Sequence, residues 1–130
     1  MNQQPIAWHI AFLKENQASL RNLAIGARRM LDDMCDNQLG SPYNYTCTKM
    51  PQYIDMGYSA NVLAILGKEF AWHNHGEEHV NSAFINTFVE DTYIYIVKQD
   101  AQICANRRAA FTTQRKMWLN YIINMAELYG

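Results

Sequence analysis

The sequence predicts an all-α fold: a single-domain bundle of four to five helices with one long loop near residues 40–53. The chain has 130 residues, of which 49% are hydrophobic and 12% aromatic, enough to form one buried core. Apolar residues recur every three or four positions over long stretches, which is the period of an amphipathic helix. Three prolines and six glycines fall in few places, and no internal repeat or domain boundary is visible. Residues 1–130 are therefore predicted to form one helical domain.

The first helix is predicted to start at Pro5, because proline is tolerated in a first helical turn. It is expected to run to Gly40, a residue type that often terminates helices. The polar residues 14–18 interrupt the apolar stripe, so a break near Ser19 is the alternative. The stripe itself consists of Ile6, Ile10, Leu13, Leu20, Ala24, Ala27, Leu31 and Met34.

A second helix is predicted after the proline-containing loop at residues 40–53. Ser59 is a candidate N-cap, since a serine hydroxyl can accept a hydrogen bond from a free N–H of the first turn. Asn74 and Gly76 are expected to end this helix. Its inward-facing residues are predicted to be Val62, Leu66 and Phe70.

The third helix is predicted to begin at Glu77 and Glu78, because acidic residues are favoured in a first turn by the helix dipole. Apolar residues form two neighbouring stripes along it, which indicates a helix packed on several sides. A β-strand over residues 92–98 is the competing interpretation, given their high β propensity. Helix is favoured because neither Gly nor Asn-Gly marks a turn before it. The two stripes are Phe84, Phe88 and Tyr95, and Ile85, Val89, Thr92 and Ile96.

The last helix carries a heptad-like seam and a second apolar face that something must cover. A homodimer that packs this helix against its mate would cover it; neighbouring helices of the same chain are the alternative. The seam is Phe111, Gln114, Trp118, Tyr121, Met125 and Leu128, and the second face is Leu119, Ile122 and Ile123.

Composition narrows the class of partner and the compartment. The net charge of −1 provides no field that would attract nucleic acid or an anionic membrane. Two arginine pairs, Arg28–Arg29 and Arg107–Arg108, fall short of a nucleic-acid motif. An odd number of cysteines without a C-x-x-C spacing is typical of the reducing cytoplasm. No signal peptide or membrane span is recognised, and a cytoplasmic protein is predicted.

The segment HGEEH is the first candidate for chemistry. His75 and His79 would share a helix face and could bind zinc, with Glu78 as a third ligand or as an acid–base group. Against this metal site stands Gly76, which together with Asn74 indicates a helix end inside the motif. A junction between two helices is the favoured interpretation.

The acidic cluster in LDDMCD is the second candidate. Asp32 and Asp36 would share a helix face, with Asp33 beside them, and carboxylates in such an arrangement can hold Mg²⁺. A second acidic pair with suitable spacing on a following helix is missing, so the cluster is incomplete.

Charges are segregated along the chain. From Glu69 to Asp91 every charged residue is acidic, and from Arg107 to Lys116 every one is basic. With many tyrosines and tryptophans, this pattern suits a protein-binding surface. The sequence therefore predicts a non-enzymatic interaction module without a cofactor, of the inhibitor, immunity, adaptor or mobile-element accessory type, forming a homodimer. The alternative is a small hydrolase dependent on zinc or Mg²⁺.

Overall fold

The computed structural model describes residues 5–35, 56–75, 82–98 and 112–130. Within these ranges the chain forms five α-helices and no strand, which confirms the all-α prediction. None of these described helices is long and apolar enough to cross a membrane. The predicted loop at residues 40–53 lies outside the described ranges. The helices are α1 (Ala7–Glu15), α2 (Gln17–Cys35), α3 (Met56–His75), α4 (Ser82–Ile96) and α5 (Thr112–Tyr129).

The first predicted helix is divided in two at Asn16, three residues before Ser19. Asn16 leaves the helical conformation with φ −120° and ψ 39°. Its side-chain Nδ2 donates to the carbonyl oxygen of Phe12 at 2.9 Å, and its backbone N–H lies 3.1 Å from the carbonyl oxygens of Phe12 and Leu13. An asparagine side chain that bonds the local backbone competes with helix continuation, which is why the break falls here.

Helices α2 and α5 are antiparallel neighbours. Gln17, at the start of α2, donates a hydrogen bond to the carbonyl oxygen of Tyr129, at the end of α5. Gly26 of α2 faces α4 closely, since a Cβ there would lie 2.7 Å from Ile96 side-chain carbons. Leu20 and Ala27 of the predicted stripe are fully buried, whereas Ala24 and Leu31 are only partly buried. Leu23 and Met30, which the stripe did not include, complete the buried face of α2.

Helix α3 lies at the centre of the bundle, with Val62, Leu66 and Phe70 buried as predicted. Ser59 is not the N-cap, because the helix begins at Met56 and Ser59 lies inside it. Among the described residues, the buried Ser59 hydroxyl has no hydrogen-bond partner. Gly67 allows α4 to approach α3, since a Cβ there would lie 2.6 Å from Val89 Cγ2.

Residues 92–96 are helical, so helix is confirmed over strand for that part of the sequence. Helix α4 ends at Ile96, where the N–H groups of Val97 and Lys98 both bond the carbonyl oxygen of Tyr93 and close the last turn. The predicted start at Glu77 and Glu78 lies outside the described ranges, as do residues 99–111.

The core face of α5 is rotated from the predicted seam. Trp118 and Met125 are buried, but Leu128 is 70% exposed and Gln114 is exposed as well. The centre of the buried face passes instead through Leu119 and Ile122, both fully buried. The reason is that α5 packs mainly on α2, and also on α1 and α3 of its own chain, through the face that carries Leu119, Ile122 and Ile123.

The second apolar face of α5, which a dimer was predicted to cover, is covered by the same chain. Leu119 and Ile122 are 0% exposed and Ile123 is 8% exposed within a single chain. The second apolar face therefore needs no second copy to cover it.

Candidate functional site

A buried carboxylate of α3 fixes the start of α1. Glu69 Oε1 accepts a hydrogen bond from the backbone N–H of Ile6 at 2.8 Å and lies 2.7 Å from His9 Nδ1. The side chains of Glu69 and His9 are only 0% and 2% exposed. Ile6 is the N-cap of α1 and has no side chain able to cap the helix. Glu69 therefore plays the part that a glutamate at the third helical position plays in a capping box, but from another helix.

The residue before His9 points the other way. Trp8 is 59% exposed, the largest exposed fraction of any described aromatic side chain. Its ring meets the His9 ring edge-on, with centroids 4.1 Å apart. Because the His9 ring is held by Glu69, the Trp8 indole has a rigid surface behind it. The site thus consists of an exposed tryptophan on a short helix whose start is held by hydrogen bonds to the buried Glu69 carboxylate.

Tyr121 of α5 closes the cluster from a third helix. Burial is the main cause that raises the pKa of its hydroxyl, and the charges of Glu69 and Tyr129 raise it further. Its ring also packs at 5.5 Å from that of Phe70, which in turn meets Trp118 edge-on at 5.4 Å. The Glu69 carboxylate is therefore surrounded by α1, α3 and α5.

A buried ion pair joins α4 to α5. Arg115 Nη1 donates to Asp91 Oδ2 at 2.6 Å, with the side chains 5% and 0% exposed. The guanidinium carbon lies 4.9 Å from the centroid of the Phe88 ring. Beside it, Trp118 Nε1 donates to the Thr92 hydroxyl at 2.8 Å, and that hydroxyl donates to the carbonyl oxygen of Phe88. One residue of the predicted acidic segment and one of the basic segment are thus paired inside a single chain.

Neither pair offers an open reaction site. Histidine and glutamate are the usual acid–base residue types, but His9 and Glu69 are buried, and a substrate would have to displace α1 to reach them. Asp91 and Arg115 are enclosed in the same way. What both arrangements do is hold helices in fixed relative positions.

An apolar groove runs between α3 and α4. Its volume is about 230 Å³. Gly67 contributes no side chain at the point where the two helices approach most closely. Lys68 of α3 and Asn86 of α4 are its polar residues, and both are exposed. The remaining lining residues are Ala64, Gly67, Ala71, Ile85 and Val89.

The predicted zinc ligands cannot be compared with this geometry. His75 is the final residue of α3, while Glu78 and His79 lie outside the described residues. Among the residues that are described, no group of three His, Cys, Asp or Glu side chains could hold a metal ion.

The other predicted site residues are only partly described. Asp32 is exposed on α2; the Asp33 side chain and Asp36 fall outside the described part, and so do Arg107 and Arg108. Arg115 does not belong to a basic surface, because its guanidinium is paired with Asp91 in the core.

Sequence reasoning singled out neither His9 nor Trp8. The partners in the pair are 60 residues apart, and no short motif signals such a contact. The one available signal was the change of polarity along Trp8–His9–Ile10, where a histidine occupies an inward position of an otherwise apolar stripe.

Comparison with protein-family models, with curated proteins and with solved structures finds no match to this chain.

Proposed function

We propose that this protein is a non-enzymatic interaction module that docks on a protein partner through α1, with Trp8 as the anchor. The observation that carries the proposal is the exposure of Trp8, 59%, on a helix whose start is fixed by the buried Glu69 carboxylate.

Tryptophan is the residue type most enriched among side chains that dominate binding energy, because it buries a large area with few rotatable bonds. Affinity improves when the binding side chain is already held in its bound position, since less conformational entropy is lost on association. The ring of His9 behind Trp8 and the bonds from Glu69 supply such a support.

The surroundings of Trp8 suit docking by shape. Ala7 and Ala11, its neighbours on the exposed side of α1, are small and exposed, so a partner can reach the helix backbone closely. With a net charge of −1, long-range attraction contributes little to encounter. This combination supports the inhibitor, immunity, adaptor or accessory classes over a module that recognises charge. A cytoplasmic location remains part of the proposal, resting on the cysteine pattern.

The homodimer is also retained as a proposal, but on a different surface. Leu119, Ile122 and Ile123 of α5 are covered by their own chain. A dimer would therefore use exposed apolar residues on another helix, and Trp8 of α1 is such a residue.

The test is affinity capture from a native lysate of the source cells, followed by titration calorimetry with the purified partner. Trp8→Ala should weaken binding by about 30-fold or more, the loss typical of a hot-spot residue. Ile25→Ala is the matched control, because Ile25 is an apolar residue that is 49% exposed on α2. The affinity of this variant for the partner should stay within about threefold of wild type. Circular dichroism checks that both variants fold.

Equal binding by wild type and Trp8→Ala would remove α1 from the docking surface. The enzyme alternative is tested on the same preparation, purified without an affinity tag. Stoichiometric zinc that disappears in a His75→Ala/His79→Ala variant, together with hydrolysis of a substrate panel, would overturn the non-enzymatic proposal.

A further inference from the structure

We infer that Trp8 of one copy inserts into the α3–α4 groove of a second copy, and that reciprocal insertion forms a homodimer. The inference rests on the proposed function in taking Trp8 as the anchor, and it names one occupant for the groove: the α1 helix of an identical chain. Trp8 and the groove residues Gly67 and Val89 carry it.

The α3–α4 groove matches the Trp8 side chain in size and polarity. A cavity of about 150 Å³ lined by aliphatic side chains can hold a benzene molecule, and the groove of about 230 Å³ is larger. Five of its seven lining residues are apolar or glycine. An exposed indole is the complementary shape on the same molecule, which is the condition for an interface between identical chains.

The two surfaces can also approach closely. Ala7 and Ala11 beside Trp8 are small, and Ala64 on the wall of the groove is small and exposed. Small side chains on both surfaces therefore allow α1 to approach α3 at these positions. Gly67 cannot be enlarged without meeting Val89, so the depth of the groove is fixed by the packing of α3 on α4.

Charges at the edges of the two surfaces are complementary. Lys68 is exposed at the groove, and Glu15 is exposed two turns after Trp8 on α1. Neither has an ion-pair partner among the described residues. Lys14, by contrast, lies over the Tyr129 ring of its own chain at 5.8 Å, so Glu15 is the α1 charge that we pair with Lys68 of the second copy. An intermolecular Glu15–Lys68 pair follows.

A two-fold symmetric dimer of this kind buries Trp8, the same residue that anchors the proposed partner-binding surface. Self-association therefore hides Trp8, and a partner protein must compete with the second copy. The dimer would act as a resting form whose population falls as partner concentration rises.

Sedimentation velocity and light scattering over a micromolar concentration series test the inference. Wild type should show twice the 15.1 kDa mass of one chain. Trp8→Ala, which removes the inserted side chain, and Ala64→Arg, which fills the groove from an exposed position, should each weaken dimerisation by about 30-fold or more. Ile25→Ala, on the exposed face of α2, should leave the dimer unchanged.

Charge reversal supplies a test that loss of folding cannot imitate. Lys68→Glu and Glu15→Lys should each weaken the dimer by about threefold or more, a modest change because the pair lies at an exposed rim. The double variant restores the opposite-charge pair and should recover wild-type dimerisation. Continued weakness of the double variant would overturn the pairing of these two residues.

The two proposals fail in different ways. A chain that stays monomeric at every concentration but binds its partner through Trp8 overturns the inference and leaves the proposed function. A dimer that neither Trp8→Ala nor Ala64→Arg disturbs also overturns it. A dimer separated by both substitutions, with partner binding that does not depend on Trp8, supports the inference and overturns α1 as the partner-binding surface.

Discussion

Replacing Arg115 with methionine should strongly destabilise the fold. The substitution removes the positive charge that lies 2.6 Å from Asp91 Oδ2 in a site with 0% exposure of the Asp91 side chain. Methionine keeps much of the length and apolar stem of arginine, so the main change is the loss of charge and hydrogen bonding. The carboxylate is left in the core without its guanidinium.

The size of the effect follows from the burial of the pair. Removing one partner of a buried ion pair typically costs about 3 to 5 kcal/mol, because the remaining charge is neither solvated nor compensated. Loss of the cation–π contact with Phe88, at 4.9 Å, destabilises the fold by about a further 0.5 to 2 kcal/mol. With a urea m-value of about 2 kcal/mol/M, a loss near 4 kcal/mol lowers the midpoint by about 2 M.

Urea denaturation followed by tryptophan fluorescence and circular dichroism measures this change. Lys116→Met is the matched control, one residue along α5 and partly exposed, and should shift stability by less than about 0.5 kcal/mol. The double variant Asp91→Leu/Arg115→Met removes both charges and should regain most of the lost stability. The reasoning is refuted if Arg115→Met alone changes stability by less than about 1 kcal/mol, or if the double variant is less stable than the single one.

Three further substitutions test the other contacts. Gly67→Ala should lower the free energy of unfolding by about 1 to 2 kcal/mol in chemical denaturation, because the new Cβ meets the stiff Val89 side chain. This loss is expected despite the better helix propensity of alanine. Val89→Ala in the same chain should restore the lost stability, and a double variant without that recovery would contradict the clash. The raised pKa of Tyr121 means that the unfolded chain loses this proton first, so stability should fall as pH rises above about 10; Tyr121→Phe should lessen that fall, and equal pH profiles would argue against it. Glu69→Gln should speed hydrogen exchange of the α1 amides by about tenfold while α2 and α5 keep their protection. Glu15→Gln, at an exposed position, is the control variant. Unchanged exchange in α1 of Glu69→Gln would contradict the anchoring role of Glu69.

The helices could be predicted because their apolar spacing is a local property. The stripe through Leu13, Leu20 and Ala27 indicated α1 and α2, and the two stripes of α4 favoured helix over strand at residues 92–96, as the structure has it. The break at Asn16 was placed three residues late, since an asparagine that bonds the carbonyl oxygen of Phe12 looks like any other polar surface residue in the sequence.

The buried His9–Glu69 and Asp91–Arg115 contacts could not be predicted, because their partners are far apart in the chain. Charged residues are rarely buried, so Glu69, Asp91 and Arg115 were read as parts of exposed acidic and basic segments. Which face of a helix is covered is equally a property of the whole fold. Leu128 fits the heptad spacing and is nevertheless 70% exposed, because α5 is rotated to direct Leu119 and Ile122 inward.

The buried pairs bear on function through position more than through stability. A buried ion pair contributes little net stability relative to a well-packed apolar pair of similar volume, but its bonds have a defined direction. Glu69 determines where α1 begins and hence where Trp8 projects, and the Asp91–Arg115 pair ties α4, one wall of the groove, to α5. Both surfaces that we propose for docking are therefore set by polar contacts in the core. It follows that Glu69→Gln should weaken the Trp8-dependent binding more than its effect on global unfolding would suggest. The unfolding free energy depends mainly on the apolar core of α2, α3, α4 and α5, whereas binding depends on the direction in which one short helix presents its tryptophan.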